Sequence, residues 1–276
     1  MSLIIQNITP VIGSEITGVD LATMDLKLAD TLRRTLAERG VLVVRDQTLD
    51  HEAHKRVASF FGTGQLHRHP LALASGSSDP HVLTVKTTAK STYAVGDGWH
   101  TDVSCDVTPI SASLLYMHEV PESGGGDTLF ASMTEAYALL SEPIKTLVRS
   151  LKAVHDGSLP WRENYGREPD PGMEFNRTVH PIVIAHPETG KPLLWVNRGF
   201  TTRIEGVTRL ESRALLEMLF NHIEATPRLH CRVQWRPGTL VIWDNIGTQH
   251  HAVWDYFPHT RHAERVSAIG GELKAA

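Results

Sequence analysis

The 276-residue sequence predicts a mainly β protein with flanking helices, arranged as an antiparallel β sandwich or barrel. Short alternating segments stand at both ends of the chain, and helical patterns lie at their margins. Strands and helices do not alternate regularly, which disfavours a parallel βαβ fold. Because no internal repeat, low-complexity tract or interdomain linker is present, we expect a single domain over residues 1–276.

The N-terminal part predicts short strands and two helices. "LIIQNITPVIGSEITGVDL" alternates apolar and polar residues between Gly and Pro, which is typical of short strands. Leu28, Leu32 and Leu36 recur every four residues and predict an amphipathic helix that ends at Gly40. "VLVVR" then predicts a buried strand, and Asp50 suits the N-cap of a second helix in "DHEAHKRVASFFG".

The middle of the chain mixes both kinds of element. "SASLLYMHEV" alternates like a strand, whereas Ser132 and Glu135 have capping-box spacing and predict a short helix. "SEPIKTLVRSL" predicts another helix. Residues 157–178 are rich in Pro, Gly, Arg and Glu and are long for an unstructured loop, so we expect a lid or binding loop there.

The remaining elements are two strands around an "ETGK" turn, a helix and a run of strands. Thr208 and Glu211 form a second capping box ahead of the helix "TRLESRALLEMLFNHIEA". From Cys231 onward the pattern is strand, turn, strand throughout.

Composition excludes several classes of protein. The formal net charge is −4 with no long run of one sign, so neither a nucleic acid nor a membrane surface is expected as partner. No secretory signal and no run of 18 apolar residues is present, which predicts a cytoplasmic protein. The only two cysteines, Cys105 and Cys231, exclude a disulfide framework and a thiolate metal cluster.

A candidate metal site begins in "GDGWHTDVSCDVTP", residues 96–109. At a strand end, His100 and Asp102 point to the same face because they are two residues apart. Imidazole and carboxylate together suit Fe(II), Mn(II) or Zn(II), and two imidazoles and one carboxylate with other positions open are typical of non-haem Fe(II). His250 or His251 could supply the third ligand, but only one of them, since adjacent strand residues face opposite ways. A polar turn and surface histidines are the alternative.

A candidate anion site lies in "RHAERVSAIGG". Read as a strand, one face carries Arg261, Ala263, Arg265, Ser267 and Ile269. If that face points inward, each arginine needs an anionic partner, because an unpaired buried charge is costly. Arginine binds carboxylates in bidentate fashion. Two solvated arginines on an outward face are the alternative.

Taken together, these motifs resemble the taurine dioxygenase family of Fe(II)- and 2-oxoglutarate-dependent dioxygenases. The matching pieces are His100-Thr101-Asp102, the "GGGDT" of residues 124–128, "WDN" ahead of "TQHHA", and an arginine 11 residues after His250. The resemblance runs from "GSEITGVDL" to "RVSAIGG" and implies a double-stranded β-helix (jelly-roll, cupin-like). It also implies Fe(II), 2-oxoglutarate as cosubstrate, and O2.

The resemblance assigns a role to each candidate residue. His100, Asp102 and His250 are the implied iron ligands and catalytic triad, and Thr128 and Arg261 hold the distal carboxylate of 2-oxoglutarate. The implied substrate-binding residues are His69, Val103, Cys105, Phe200 and Arg265.

The sequence also departs from the family pattern. "SGGGDT" is one glycine longer than the usual form. Cys105, Ala72 and Gly96 stand where taurine-cleaving members carry a phenylalanine, a tyrosine and an asparagine, which implies a wider pocket than taurine needs. Because no activating base is evident, we expect Cys105 to be a pocket wall or a core residue rather than a nucleophile.

The implied reaction is hydroxylation of a small anionic substrate. An alkanesulfonate such as taurine would yield sulfite, an aldehyde, succinate and CO2; alkyl sulfate esters and phenoxyalkanoates are the alternatives. A non-catalytic metal- or anion-binding barrel would need neither Thr128 nor the paired arginines, and a zinc hydrolase would need a general base that the sequence does not offer. A homo-oligomer, dimer or tetramer, is also expected.

Overall fold

The computed structural model describes residues 2–69, 71–73, 75–163 and 172–276. Its strands are β1 (Ile4–Asn7), β2 (Ser14–Thr17), β3 (Val41–Val44), β4 (Leu83–Thr87), β5 (Ile110–Glu119), β6 (Thr128–Ser132), β7 (Lys152–Asp156), β8 (Arg177–Pro181), β9 (Val183–Ala185), β10 (Pro192–Leu194), β11 (Thr201–Ile204), β12 (His230–Val233), β13 (Leu240–Asp244), β14 (Thr248–Ala252), β15 (Arg261–Ile269) and β16 (Lys274–Ala275). Its helices are α1 (Leu26–Arg39), α2 (His51–Ala58), α3 (Met133–Ala138), α4 (Glu142–Arg149), α5 (Leu159–Glu163) and α6 (Arg209–Glu224).

Two sheets form the centre of the fold. The major sheet has seven strands in the order β1-β2-β3-β13-β5-β15-β4, and a three-stranded sheet has the order β12-β6-β14. All pairs in these two sheets are antiparallel except β2 with β3. The arrangement is a double-stranded β-helix, which confirms the predicted fold class.

Helices α1 and α2 cover the outer face of the major sheet. Leu32 and Leu36 of α1 and Val57 of α2 pack with Leu114 and Val266 from the sheet in one buried cluster. The helix α2 begins as predicted at Asp50, and α1 begins at Asp25; both side chains accept hydrogen bonds from backbone N–H groups of the first turn. The helix α1 ends at Gly40, whose φ of 71° suits glycine.

A second apolar cluster fills the space between the two sheets. Phe130 of β6 and Val233 of β12 pack there against Met117 and Trp243 of the major sheet. This packing holds β6 and β14 opposite β5, β13 and β15, so that side chains from both sheets can converge on one cavity.

The other predicted helices are present, with one difference in capping. Thr208 and Glu211 form the complete capping box of α6. At α3, the Ser132 hydroxyl accepts from the Glu135 N–H at 3.3 Å, but the Glu135 carboxylate accepts a hydrogen bond from Arg228 instead of closing the box. An ion pair between distant segments therefore replaces one of the two local capping bonds.

The predicted lid of residues 157–178 lies partly outside the described residues. Within it the structure shows the helix α5 and the start of β8, while residues 164–171 are not described. Its action as a lid stays a prediction. None of the helices in the described part of the chain combines the length and the apolar content that a bilayer crossing requires.

Candidate active site

The side chains of His100, Asp102 and His250 converge at one end of a cavity in the β-helix. One ligand atom from each lies within 4.8 Å of the others. The His100 Nε2 lies 3.8 Å from Asp102 Oδ1, and the His250 Nε2 lies 3.9 Å from Asp102 Oδ2. His251 instead faces outward, with its Nε2 3.1 Å from Asp97 Oδ1. Of the two adjacent histidines, only His250 reaches this centre.

The two imidazoles are neutral and suited to metal binding. His100 Nδ1 donates to the carbonyl oxygen of Gly98 at 2.8 Å, so its Nε2 presents a lone pair towards Asp102. Burial lowers the pKa of His100, and it lowers the pKa of His250 well below its ordinary value. His250 Nδ1 has no hydrogen-bond partner within the described residues.

Asp102 is held as a buried carboxylate by several neighbours. Burial by itself would raise its pKa, but the positive charge of Arg265 and a hydrogen bond from Ser113 lower the pKa below the ordinary value. Arg265 Nη1 donates to Oδ1 at 2.6 Å, and Ser113 Oγ donates to Oδ2 at 3.1 Å. Asn245, the last residue of "WDN", accepts from the Asp102 N–H and donates to its carbonyl oxygen.

The expectation that His100–Asp102 ends a strand was wrong. His100 forms one isolated bridge with His250, and a turn follows at Asp102. The Asp102 N–H is taken by the Asn245 side chain, and Val103 has a φ of +41°, so the chain cannot continue as a strand. The two ligands still converge, because the turn and Asn245 set their directions in place of strand alternation.

A cavity of about 440 Å³ opens from these three residues and is lined by both sheets. Its wall includes Thr128 of β6 and both Arg261 and Arg265 of β15, so of the two alternatives left by the sequence, the face that carries the arginines points inward. Both arginines line the cavity, although the pairing of β15 with β5 shifts its register between His262 and Ala263.

Arg261 is a buried cation with no carboxylate partner among the described residues. It is 5% exposed, and burial lowers the pKa of its guanidinium. Its Nε donates to the carbonyl oxygen of Gly126 at 3.0 Å. Because an isolated buried charge is unfavourable, the remaining N–H groups of Arg261 suit an anion bound in the cavity.

The glycine turn before Thr128 fits closely against Arg261. A Cβ on Gly126 would lie 2.8 Å from Arg261 Cδ, and one on Gly125 would lie 2.6 Å from Asp255 Oδ1. The Asp255 carboxylate accepts from the Gly126 N–H at 2.8 Å. A larger residue at Gly125 or Gly126 would therefore displace a neighbouring side chain.

His69, Val103 and Phe200 also line the cavity, whereas Cys105 does not. His69 Nδ1 accepts a hydrogen bond from the Leu71 N–H at 3.1 Å. Burial, and to a lesser extent the positive charge of Arg265, lowers the pKa of His69 to about 3. His69 is thus a neutral donor through Nε2. Cys105 is buried outside the cavity lining, and burial raises the pKa of its thiol to about 12, so the thiol stays protonated.

Three residues of the site carried no assigned role from sequence. Ser113 holds Asp102, and Trp235 lines the cavity and donates to Thr128 Oγ1 at 3.0 Å. Gly199 packs against the first ligand, since a Cβ there would lie 2.7 Å from His100 Cβ. Asn245 lies in the "WDN" motif that carries the family resemblance. No sequence pattern predicts the roles of Ser113, Trp235 and Gly199, because their contacts join segments that are apart in the chain.

Two histidines and one carboxylate beside an open cavity are typical of non-haem Fe(II) oxygenases, and neutral imidazoles and an ionised carboxylate fit that metal. The description of the family model that matches residues 5–267 is "Taurine catabolism dioxygenase TauD, TfdA family". The chain belongs to this family. It is an Fe(II)- and 2-oxoglutarate-dependent dioxygenase, which confirms the predicted enzyme class and cofactors.

Named relatives differ in the substrates that their names state. The chain is 35% identical to an alpha-ketoglutarate-dependent sulfonate dioxygenase of Saccharomyces cerevisiae, over 95% of this chain and 66% of that protein. It is 32% identical to an alkylsulfatase of Acinetobacter baylyi, over 96% and 84%. A crystal structure of a taurine dioxygenase from Burkholderia xenovorans matches with a TM-score of 0.84 and 32% identity, over 99% and 91%.

Proposed function

We propose that the protein hydroxylates the carbon next to the sulfur-oxo group of an organic anion, either an alkanesulfonate or an alkyl sulfate ester, whose chain carries no charge. His100, Asp102 and His250 hold the iron, and Thr128 and Arg261 hold the distal carboxylate of 2-oxoglutarate. When bound, iron and 2-oxoglutarate supply O2 activation with release of succinate and CO2.

The observation that carries the proposal is the pair of arginines on one strand. Arg261 and Arg265 project from β15 into the same cavity, where Lys86 adds a third cation and Asp102 is the one side-chain carboxylate among the described lining residues. This excess of positive charge suits two anions, one from the cosubstrate and one from the substrate.

Arg265 and His69 are the groups we propose for the substrate anion. Arg265 already donates to Asp102 through Nη1, so its other N–H groups are the ones available to sulfonate or sulfate oxygens. His69 lines the same cavity as a neutral donor. The anion would therefore sit beside the iron ligand, which brings the carbon attached to it close to the metal.

The described walls of the cavity favour an uncharged chain over taurine itself. Away from Asp102 they offer no side-chain carboxylate for the taurine ammonium group. Apolar side chains stand there instead, among them Leu71, Leu83, Val95 and Phe200. Burying an ammonium group without a partner is costly, whereas a methyl group gains from the same wall.

Succinate release with matched substrates tests this function. Taurine and 1-propanesulfonate have the same size and differ in an ammonium versus a methyl group, so we expect kcat/KM to be at least about tenfold higher for 1-propanesulfonate. Succinate release with hexyl sulfate tests the sulfate ester, and succinate release with phenoxyacetate tests the carboxylate alternative. A preference for taurine, or turnover of phenoxyacetate alone, would show the proposed substrate class to be wrong.

Two variants test the roles of the arginines. Arg265→Gln should raise KM for the sulfonate and leave the Kd of 2-oxoglutarate unchanged. Arg261→Gln should raise the Kd of 2-oxoglutarate and leave KM for the sulfonate unchanged. His100→Ala should abolish succinate production. If Arg265→Gln instead loses 2-oxoglutarate binding, the assignment of the two guanidinium groups is reversed.

A further inference from the structure

Trp235 contacts both side chains of the proposed carboxylate clamp. It follows β12 by two residues, is buried, and lines the cavity. Its Nε1 donates to Thr128 Oγ1 at 3.0 Å, and the guanidinium carbon of Arg261 lies 5.5 Å from the centroid of its ring. One side chain thus joins β6 to β15 across the space between the two sheets.

The indole hydrogen bond decides what the Thr128 hydroxyl can do. A threonine hydroxyl has one proton to donate and accepts through its lone pairs, whereas an indole N–H only donates. Trp235 therefore occupies an acceptor position of Thr128 and leaves the hydroxyl proton for another group. Thr128 is 5% exposed and lines the cavity, so an anion there is the partner that this proton suits.

The indole ring supports the second member of the clamp. A guanidinium within about 6 Å of an aromatic centroid is attracted by the ring, more strongly when both are shielded from water. The contact stabilises the buried charge of Arg261 without using its N–H donors. Gly126 accepts from Nε, so the terminal nitrogens of Arg261 remain for a carboxylate.

We infer that Trp235 is a positioning residue for the distal carboxylate of 2-oxoglutarate, acting through the Thr128 hydroxyl and the Arg261 guanidinium. This inference rests on the proposed function, in which Thr128 and Arg261 bind that carboxylate. Trp235 orients the clamp, and the carboxylate meets a hydroxyl whose proton already points towards it.

A double-mutant cycle tests the inference by binding rather than by turnover. Trp235→Phe keeps an aromatic ring and removes the N–H. Anaerobic titration of the Fe(II) protein with 2-oxoglutarate, followed by its visible charge-transfer band, should give a Kd about threefold to tenfold higher than for the unaltered chain. In a Thr128→Val background the same change should alter the Kd by less than about twofold, because the hydroxyl is gone.

Trp195→Phe is the matched control. Trp195 is also buried, but its indole N–H has no partner in the described part of the chain and it packs in another apolar cluster. We expect it to leave the Kd of 2-oxoglutarate unchanged. Thermal unfolding of each variant shows whether it is folded; should Trp235→Phe fail to fold, Trp235→His, which keeps a ring N–H, should restore the Kd relative to Trp235→Leu.

The outcomes separate this inference from the function on which it rests. If Thr128→Val and Arg261→Gln both bind 2-oxoglutarate normally, the proposed clamp is wrong. If both weaken binding and Trp235→Phe does not, or if its effect is equally large in the Thr128→Val background, only the role of Trp235 is overturned.

Discussion

Gly126→Ala should weaken 2-oxoglutarate binding about tenfold to a hundredfold. An alanine Cβ at this position would lie 2.8 Å from Arg261 Cδ and 3.1 Å from its Nε, so the guanidinium must move. The bond from Nε to the Gly126 carbonyl is then lost or bent, and a hydrogen bond to a charged group contributes about 1.5–3 kcal/mol. Each 1.4 kcal/mol is about tenfold in Kd.

Gly124→Ala separates this contact from simple backbone strain. Gly124 and Gly126 have φ values of 80° and 71°, so alanine at either position costs about 1–2 kcal/mol of stability. A Cβ on Gly124, however, meets no atom within 4 Å. Both variants should therefore unfold at lower temperature, and only Gly126→Ala should show a raised Kd in the anaerobic charge-transfer titration. Equal Kd values for the two variants would refute the idea that this turn positions Arg261.

Two further changes probe the iron ligand Asp102 and the helix α2 on the outer face of the major sheet. Ser113→Ala removes a hydrogen bond to Asp102 and should raise the Kd for Fe(II) about tenfold. Ser111→Ala, on the same strand, removes only a bond to the Ala268 carbonyl oxygen and should leave that Kd unchanged. Equal Kd values for the two variants would contradict a role for Ser113. Burial lowers the pKa of His54 from 6.5 to about 4 in the folded chain. The unfolded chain therefore binds the extra proton first, and up to about 3 kcal/mol of stability is lost as pH falls from about 6.5 to about 4. Chemical denaturation across this pH range should show that the free energy of unfolding of His54→Leu falls less steeply than that of the unaltered chain. Identical pH dependence of the two proteins would mean that His54 does not remain neutral in the folded chain.

Much of the secondary structure follows from local patterns. The starts of α2 and α6 and the end of α1 at Gly40 lie where capping residues predict them, because a cap acts within one turn of the helix. The spacing of Arg261 and Arg265 likewise survives in the fold, since side chains two and four residues apart on a strand share one face. The half-formed box at Glu135 shows the limit, because Arg228 reaches it from far along the chain.

The candidate site follows from sequence only where its residues lie in recurring motifs. His100 and Asp102 were identified by type and spacing, the family resemblance selected His250 over His251, and the structure brings the three ligand atoms together. Cys105 was expected in the pocket because the family resemblance places it where taurine-cleaving members carry a pocket phenylalanine. The turn after Asp102 instead leaves it outside the cavity lining, because Val103 adopts a positive φ and the strand geometry assumed for this segment does not hold.

The sequence by itself determined the class of chemistry, because the ligand types, the arginine pair and the motifs that carry the family resemblance are properties of short segments. The tertiary structure alone decided which groups support that chemistry. Ser113, Trp235 and Gly126 act on partners from 11 to 135 residues away, and their roles exist only once two sheets have closed around a cavity. Contacts between distant segments depend on how whole strands pair and pack, and no local periodicity specifies them.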